Sequence, residues 1–475
     1  MTTEKSQKLK AFLEKLPDHL VDQLTQTVER DRLEGGTEMP HELLLEGLRT
    51  ALLEGERPVN RTPTPMRMFC MPIEDLLVGA RTQKRTGRIA RSSLMPVWEW
   101  LASDLMPKEF RKHYDDLTTA IIENDAAKVR KSSNAFHKVG SAALAKAFEK
   151  AGEGSKKRAK IAEMLGGEDV ASDAEEIGKV LGAATEILEL REDLPMGTQS
   201  LTRDLVDTLC GKYEGVAGKA PASAAYVISV AMHRLTRPWE ILRAAASMAK
   251  KVEVGGATRE DLDIVAELLF GDMEDAIAHF EKQSIRTFDP DDARLYLTTY
   301  AKLAKGIAAE LENYSDEAWT ERYDALQVTG ATEFERLIEQ VPDQIKAAMP
   351  VRIASARGGG KSRRPDLRDD PNKELLDRAI KLANFMRECR PLAFAANVGT
   401  VHSDAYDVIL DDLNVYRNGL LLELRSFEDT SLLSRARAYL DLTVELTAIL
   451  VSEGEAQIFR RKSAQAERPD LAANG

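Results

Sequence analysis

Asp289-Pro-Asp-Asp-Ala-Arg-Leu-Tyr-Leu-Thr-Thr-Tyr-Ala-Lys-Leu-Ala-Lys-Gly-Ile-Ala-Ala-Glu-Leu-Glu-Asn-Tyr314 is the stretch that decides the fold class. Its apolar residues Ala293, Tyr296, Leu297, Tyr300, Ala304, Ile307, Ala308 and Leu311 recur every three or four positions, which places them on one face of an α-helix. The start is marked as well. Asp289 accepts from the free backbone donors of the first turn, Pro290 suits the first helical position, and Asp291 and Asp292 complement the positive helix end.

The same logic spreads outward. Leu375, Leu376, Ala379, Leu382, Ala383 and Met386 form a stripe over 372–389, which Arg390-Pro391 is expected to end. Long helices are expected near 404–424 and 432–462, separated by the turn chemistry of Ser426–Thr430 and paired antiparallel. Upstream, helical periods fall near 5–15, 17–31, 40–54, 96–105, 107–122, 125–149, 172–190, 200–213, 221–249, 258–283 and 330–347. Short β-branched runs such as Ala225–Val230 sit inside longer helical periods and read as helix. No unit recurs at the roughly 33–47 residue periods of helical repeats. The expectation is an all-α chain of irregular multi-helical bundles joined by basic, Pro/Gly-containing connectors.

Composition places the breaks. Pro58 to Pro72, including Pro63 and Pro65, reads as extended because proline disrupts a helix interior. Gly152–Arg158 is a second break, and Ser355-Ala-Arg-Gly-Gly-Gly-Lys-Ser-Arg-Arg-Pro365 a third. The implied organisation is a helical segment 1–60, a basic extended arm 61–95, a central multi-helical domain 96–350, a flexible linker 351–371, a C-terminal bundle 372–463 and a disordered tail 464–475.

Lys and Arg number 66 against 78 Asp and Glu, a net charge of −12. That argues against a chain that coats nucleic acid or anionic membrane over its whole surface. Two segments run the other way: 61–94 carries +5 and 355–368 carries +4, so the rest of the chain carries −21. Nucleic acid is therefore expected, if anywhere, only at these connectors. Cys70, Cys210 and Cys389 are odd in number and lack CxxC spacing, which points away from disulfides and zinc and towards a reducing compartment. Phe12 and Leu13 are followed at once by Glu14 and Lys15, so no secretion signal is read. The longest uncharged stretch, Ala220 to Met232, is thirteen residues, below the ~18–20 of a membrane span. A cytoplasmic location without a membrane span is expected.

One segment has binding chemistry. Arg81, Lys84, Arg85, Arg88 and Arg91 precede Ser92 and Ser93, either of which suits the cap of a helix opening near Pro96 and Trp98. Cations beside exposed backbone donors form a pocket for a phosphate, an acidic peptide or an RNA backbone. If the segment binds a ligand, Trp98 and Trp100 are its neighbouring stacking or core residues; the other reading is an exposed connector whose charges are simply solvated, or which lies on the acidic helices beside it. His137 is an outside candidate for phosphotransfer. It stands three residues before Gly140, one short of the spacing phosphotransfer histidines keep, and one residue is a turn of ~100°. Gly358-Gly-Gly-Lys361-Ser362 lacks the leading glycine of a phosphate loop, since Ser355 stands in its place, and reads as linker.

Metal and nucleophile patterns are missing. No two of the seven histidines stand three or four residues apart, and Asp275–His279 and Glu109–His113 each supply two ligands at most. There is no G-x-S-x-G elbow, and Cys210 and Cys389 fall on apolar stripes. No cofactor and no metal are expected. The favoured function is a non-enzymatic cytoplasmic scaffold or adaptor acting through protein partners. The alternative is a helical signalling module that binds a phosphorylated or other anionic ligand at 81–93.

Overall fold

The computed structural model describes residues 63–79, 83–152, 154–249, 259–281, 283–286, 288–313, 317–355, 361–425 and 430–467, with isolated positions between 20 and 44. The segment 1–60 lies mostly outside the described residues, as do Arg81 and 468–475 of the expected tail. Among the described residues the chain is all-α, with eighteen α-helices and two two-stranded ladders. It forms two compact units, Met1–Val265 and Ala266–Gly475. No helix among the described residues is long and apolar enough to cross a membrane.

From residue 63 on, the first unit runs through α1 (Pro65–Cys70), a 3-10 turn Met71–Leu76, and strands β1 (Leu77–Val78) and β2 (Ile89–Ala90), which pair in parallel. Arg91–Ser93 is another 3-10 turn, leading into α2 (Leu94–Trp100). The described part of 61–95 is thus not an extended arm. Pro65 starts a helix instead of preventing one, because its missing N–H falls at the first helical position, and Thr64 Oγ1 accepts from Arg67 N at 3.3 Å.

Helices α3 (Pro107–Ile122), α4 (Ala126–Ala151), α5 (Lys156–Leu165), α6 (Glu168–Gly182), α7 (Ala184–Asp193), α8 (Arg203–Ala217), α9 (Pro221–Arg234) and α10 (Ile241–Ala249) complete its body. The expected break at 152–158 is short: Ser155 Oγ accepts from Arg158 N at 3.1 Å and starts α5, which the charge-rich sequence hid. The period 172–190 divides at Ala183 into α6 and α7, and 221–249 divides at Leu235–Glu240 into α9 and α10. Every residue from Ser223 to Met232 is buried, so α9, the long uncharged stretch, is the unit's central helix, packed on α6, α7, α8 and α10. Trp98 sits in a ring cluster with Phe69, Phe110 and Phe136, at centroid separations of 5.3, 4.7 and 5.8 Å. Trp100 packs on Phe148. Trp100 is therefore a core residue, and half-buried Trp98 packs against the core through its ring contacts.

The second unit holds most of α11 (Arg259–Glu281), then α12 (Pro290–Asn313), α13 (Glu317–Ile338), α14 (Val341–Ala347), β3 (Val351–Ser355), β4 (Lys361–Pro365), α15 (Lys373–Ala393), α16 (Gly399–Leu424), α17 (Thr430–Leu450) and α18 (Glu453–Ala466). α15 packs on α12, α14, α16 and α17 and is the centre of the bundle. It runs past Pro391, which sits in the final turn and forfeits little backbone bonding there. The period 432–462 is two helices, because Ser452 accepts from Glu455 N at 3.2 Å and starts α18. α18 continues to Ala466, so the first residues of the expected tail are helical.

The expected linker 351–371 contains a hairpin. Arg352 and Arg364 are direct antiparallel partners, and both reach Glu423 on α16, a carboxylate that is 4% exposed. Two like charges side by side repel unless a counter-ion lies between them. Glu423 fills that role, and Gly419 lets Pro365 approach, since a Cβ there would lie 2.6 Å from the proline ring. The residues 356–360 of the glycine run lie outside the described residues.

Candidate functional site

The basic segment does surround anions, and they are the chain's own. Asp173 and Glu176 stand three residues apart on one face of α6, 0% and 5% exposed. Lys84 Nζ donates to Asp173 Oδ1 at 2.7 Å, to Glu176 Oε2, and to the Arg88 carbonyl at 3.0 Å. An ammonium has three hydrogens, so Lys84 has none left for a ligand. Gly87 N donates to Glu176 Oε1 at 2.8 Å, Ala90 N to Asp173 Oδ2 at 3.1 Å, and Ser93 Oγ to the same oxygen at 2.6 Å. Tyr226 OH on α9 donates to Glu176 Oε1 at 3.2 Å. Burial is the largest influence on Glu176 and raises its pKa, with Lys84 opposing. Burial, then the Glu176 charge, raises that of Tyr226.

Of the predicted residues, Lys84 lies at the centre of this cluster, while Arg85 and Arg88 are partly buried beside it. Arg91 and Ser92 are exposed, and buried Ser93 makes the carboxylate contact. A second buried network ties the preceding turn to α9: Arg234 grips both oxygens of Asp75 at 3.1 and 2.8 Å, and Arg191 reaches the same carboxylate at 3.4 Å. His233 lies between the influences of these networks. Burial and then Arg88 push its pKa down to about 4, with Asp75 opposing.

His137 is 1% exposed, its Nε2 3.0 Å from the Met68 carbonyl and its ring beside Phe69. Burial pushes its pKa down to about 4, and the carbonyl bonds to Met68 and Phe69 recover part of the shift. Gly140 makes room for Phe69, not for a modified imidazole: a Cβ there would lie 2.9 Å from the phenyl ring. In this setting His137 is a core side chain. Cys210 and Cys389 are also core, as expected, at 1% and 0% exposure.

The second unit holds a cleft the sequence did not announce. It encloses about 890 Å³ where α15 turns into α16, with Tyr323, Gln327 and Glu335 of α13 on its other wall. The turn is tight. Val398 N donates to Ala393 O at 2.9 Å and Asn397 N to Phe394 O at 3.1 Å, while Asn397 takes the left-handed conformation at φ 58° that asparagine tolerates. This geometry turns Phe394 outward, leaving it 90% exposed at the lip of the cleft. The expected helix start near Asp404 moves back to Gly399, so Asp404 lies in the second turn and faces the cleft.

Arg390 places its guanidinium 5.3 Å from the centroid of Tyr406. His402 is 2% exposed, with Nε2 2.8 Å from the Met386 carbonyl. Burial lowers its pKa, the Met386 carbonyl raises it, and Arg390 lowers it further. Glu335, Asp404 and Asp407 also line the cleft and make no ion pair among the described residues. No group of three His, Cys, Asp or Glu suited to hold a metal occurs among the described residues.

No family model, curated protein or solved structure matches the chain.

Proposed function

We propose that the chain is a non-enzymatic helical adaptor that works through protein partners. The observation that carries this reading is Phe394, 90% exposed on a tight, hydrogen-bonded turn beside an open cleft of about 890 Å³. Aromatic side chains held rigidly at a surface are the usual anchors of protein interfaces, because they bury much area at little entropic cost. The anionic-ligand alternative loses support from the Lys84 geometry, since Asp173 and Glu176 already hold its ammonium. A cytoplasmic setting belongs to the same reading and is supported by three cysteines that are all free thiols.

The test is affinity purification of the tagged full-length chain from its native cell, followed by quantitative mass spectrometry. A protein recovered in stoichiometric amount is expected. Recovery of the chain alone, at low and at high salt, overturns the adaptor reading.

A further inference from the structure

The occupant of the cleft follows from its charge and shape. Three carboxylates, Glu335, Asp404 and Asp407, face Arg390 as the single cationic side chain of the lining, and His402 is held towards its neutral form by burial. The amino end of α16 adds positive potential, equivalent to roughly half an elementary charge. Together with Arg390 that comes to about one and a half charges against three, so the cleft is negative on balance. Arg390 is also already engaged over the Tyr406 ring, and does not neutralise the carboxylates by an ion pair.

The volume of about 890 Å³ lies within the roughly 300–1,000 Å³ range of ligand sites, far more than a lone ion or water requires. An exposed phenyl ring beside carboxylates that make no ion pair among the described residues favours a group that is cationic at its tip and apolar along its stem. Arginine and lysine side chains have that character.

We propose that this cleft binds a basic segment of a partner protein, with an arginine or lysine side chain among Glu335, Asp404 and Asp407 and an adjacent apolar side chain against Phe394. The proposal rests on the adaptor reading and names the chemistry of the partner. Docking brings the cation beside half-buried Glu335 and exposed Asp404 and Asp407, and the phenyl ring covers the contact.

The experiment is fluorescence anisotropy on the full-length chain with a labelled peptide of alternating Leu and Arg pairs, and with its counterpart carrying Glu for Arg. Wild type binds the Arg peptide and not the Glu peptide, and binding weakens as salt is raised from about 50 to about 500 mM. The combined variant Glu335→Gln, Asp404→Asn, Asp407→Asn weakens binding by about tenfold or more, and Phe394→Ser by about fivefold, with unchanged thermal unfolding. A control variant, Glu109→Gln, Asp115→Asn, Asp116→Asn on exposed α3, separates site binding from general attraction to an acidic chain and is expected to bind as wild type does.

Any of four results overturns the proposal: no binding of the Arg peptide, equal binding of the Glu peptide, a loss within about twofold in the cleft variant, or an equal loss in the control. Cross-linking of a stoichiometric native partner keeps the two readings apart. A partner whose cross-links fall elsewhere, and whose recovery survives the cleft variant, refutes the cleft assignment and leaves the adaptor reading standing.

Discussion

The two units use the same carboxylate chemistry to opposite ends. In the first, Asp173 and Glu176 are buried and saturated, holding an ammonium, two backbone amides and two hydroxyls. In the second, Glu335, Asp404 and Asp407 line an open cleft and make no ion pair among the described residues. Charge in the first unit is consumed in holding a strap on its helix. The charge of the three cleft carboxylates in the second remains available at the surface. The lesson is that a basic segment in an acidic chain is not by itself a binding site, because the partner can lie within the same fold.

The sharpest way to break this comparison is Asp173→Ala. The change takes from Lys84 one of its two carboxylates, leaves Ala90 N and Ser93 without their buried acceptor, and is expected to cost about 3–5 kcal/mol in urea unfolding. A loss below about 1 kcal/mol would mean that the cluster is dispensable.

Next in size is an acid effect at His137 in the first unit. His137 has a folded pKa pushed down to about 4, below the ordinary value of 6.5, so the unfolded chain takes up the proton first. Its contribution, roughly 3 kcal/mol at about 1.4 per unit, is complete above pH 6.5 and disappears as pH falls from there through about 4. Glu176 has the opposite sign: its raised pKa gives a contribution present at low pH that fades as pH rises through the folded value. Urea midpoints measured across this window are expected to fall less steeply in His137→Gln than in wild type. Parallel curves would refute the assignment.

Smaller again is Gly330→Ala. A Cβ at 330 would lie 2.4 Å from the Tyr300 hydroxyl, which donates to Leu326 O, so the helix pair must shift at a cost of about 1–3 kcal/mol. Thermal unfolding measures it, and an unchanged midpoint would show that the ring moves aside freely. Least of all is Asp404→Asn, expected to change stability by no more than about 0.5 kcal/mol because the residue is exposed. A large loss there would make the cleft acids structural, like those of the first unit.

Much of the architecture was legible in the sequence. The stripes over 293–311 and 372–389 correspond to α12 and α15, and the thirteen uncharged residues Ala220–Met232 were rightly too short for a membrane span. Local rules failed where one chain signal serves two structures. Pro65 starts a helix, although proline in mid-helix ends one, and Ser155 and Ser452 each divide or begin helices that periodicity alone runs together or omits. The β3–β4 hairpin is too short and too charged to stand out in the sequence, and the carboxylate that lets Arg352 and Arg364 sit side by side, Glu423, lies far along the chain on α16.

The site was half legible. An anion pocket of cations, amides and serine at 81–93 was readable, but not the identity of its anions, which lie more than eighty residues away at Asp173 and Glu176. The cleft could not be read at all. Its groups come from α13, α15 and α16, and the turn that exposes Phe394 depends on a left-handed Asn397 that nothing in its neighbours demands.

The strap carries a kinetic consequence. Gly87 and Ala90 find their acceptors across separations of 89 and 83 residues, so these bonds form only after α6 has taken its place. Closing so wide a loop late makes the strap the last seam of the first unit to be sewn and the first to open. Amide hydrogens at those two positions should therefore exchange with solvent well before those of the central helix α9.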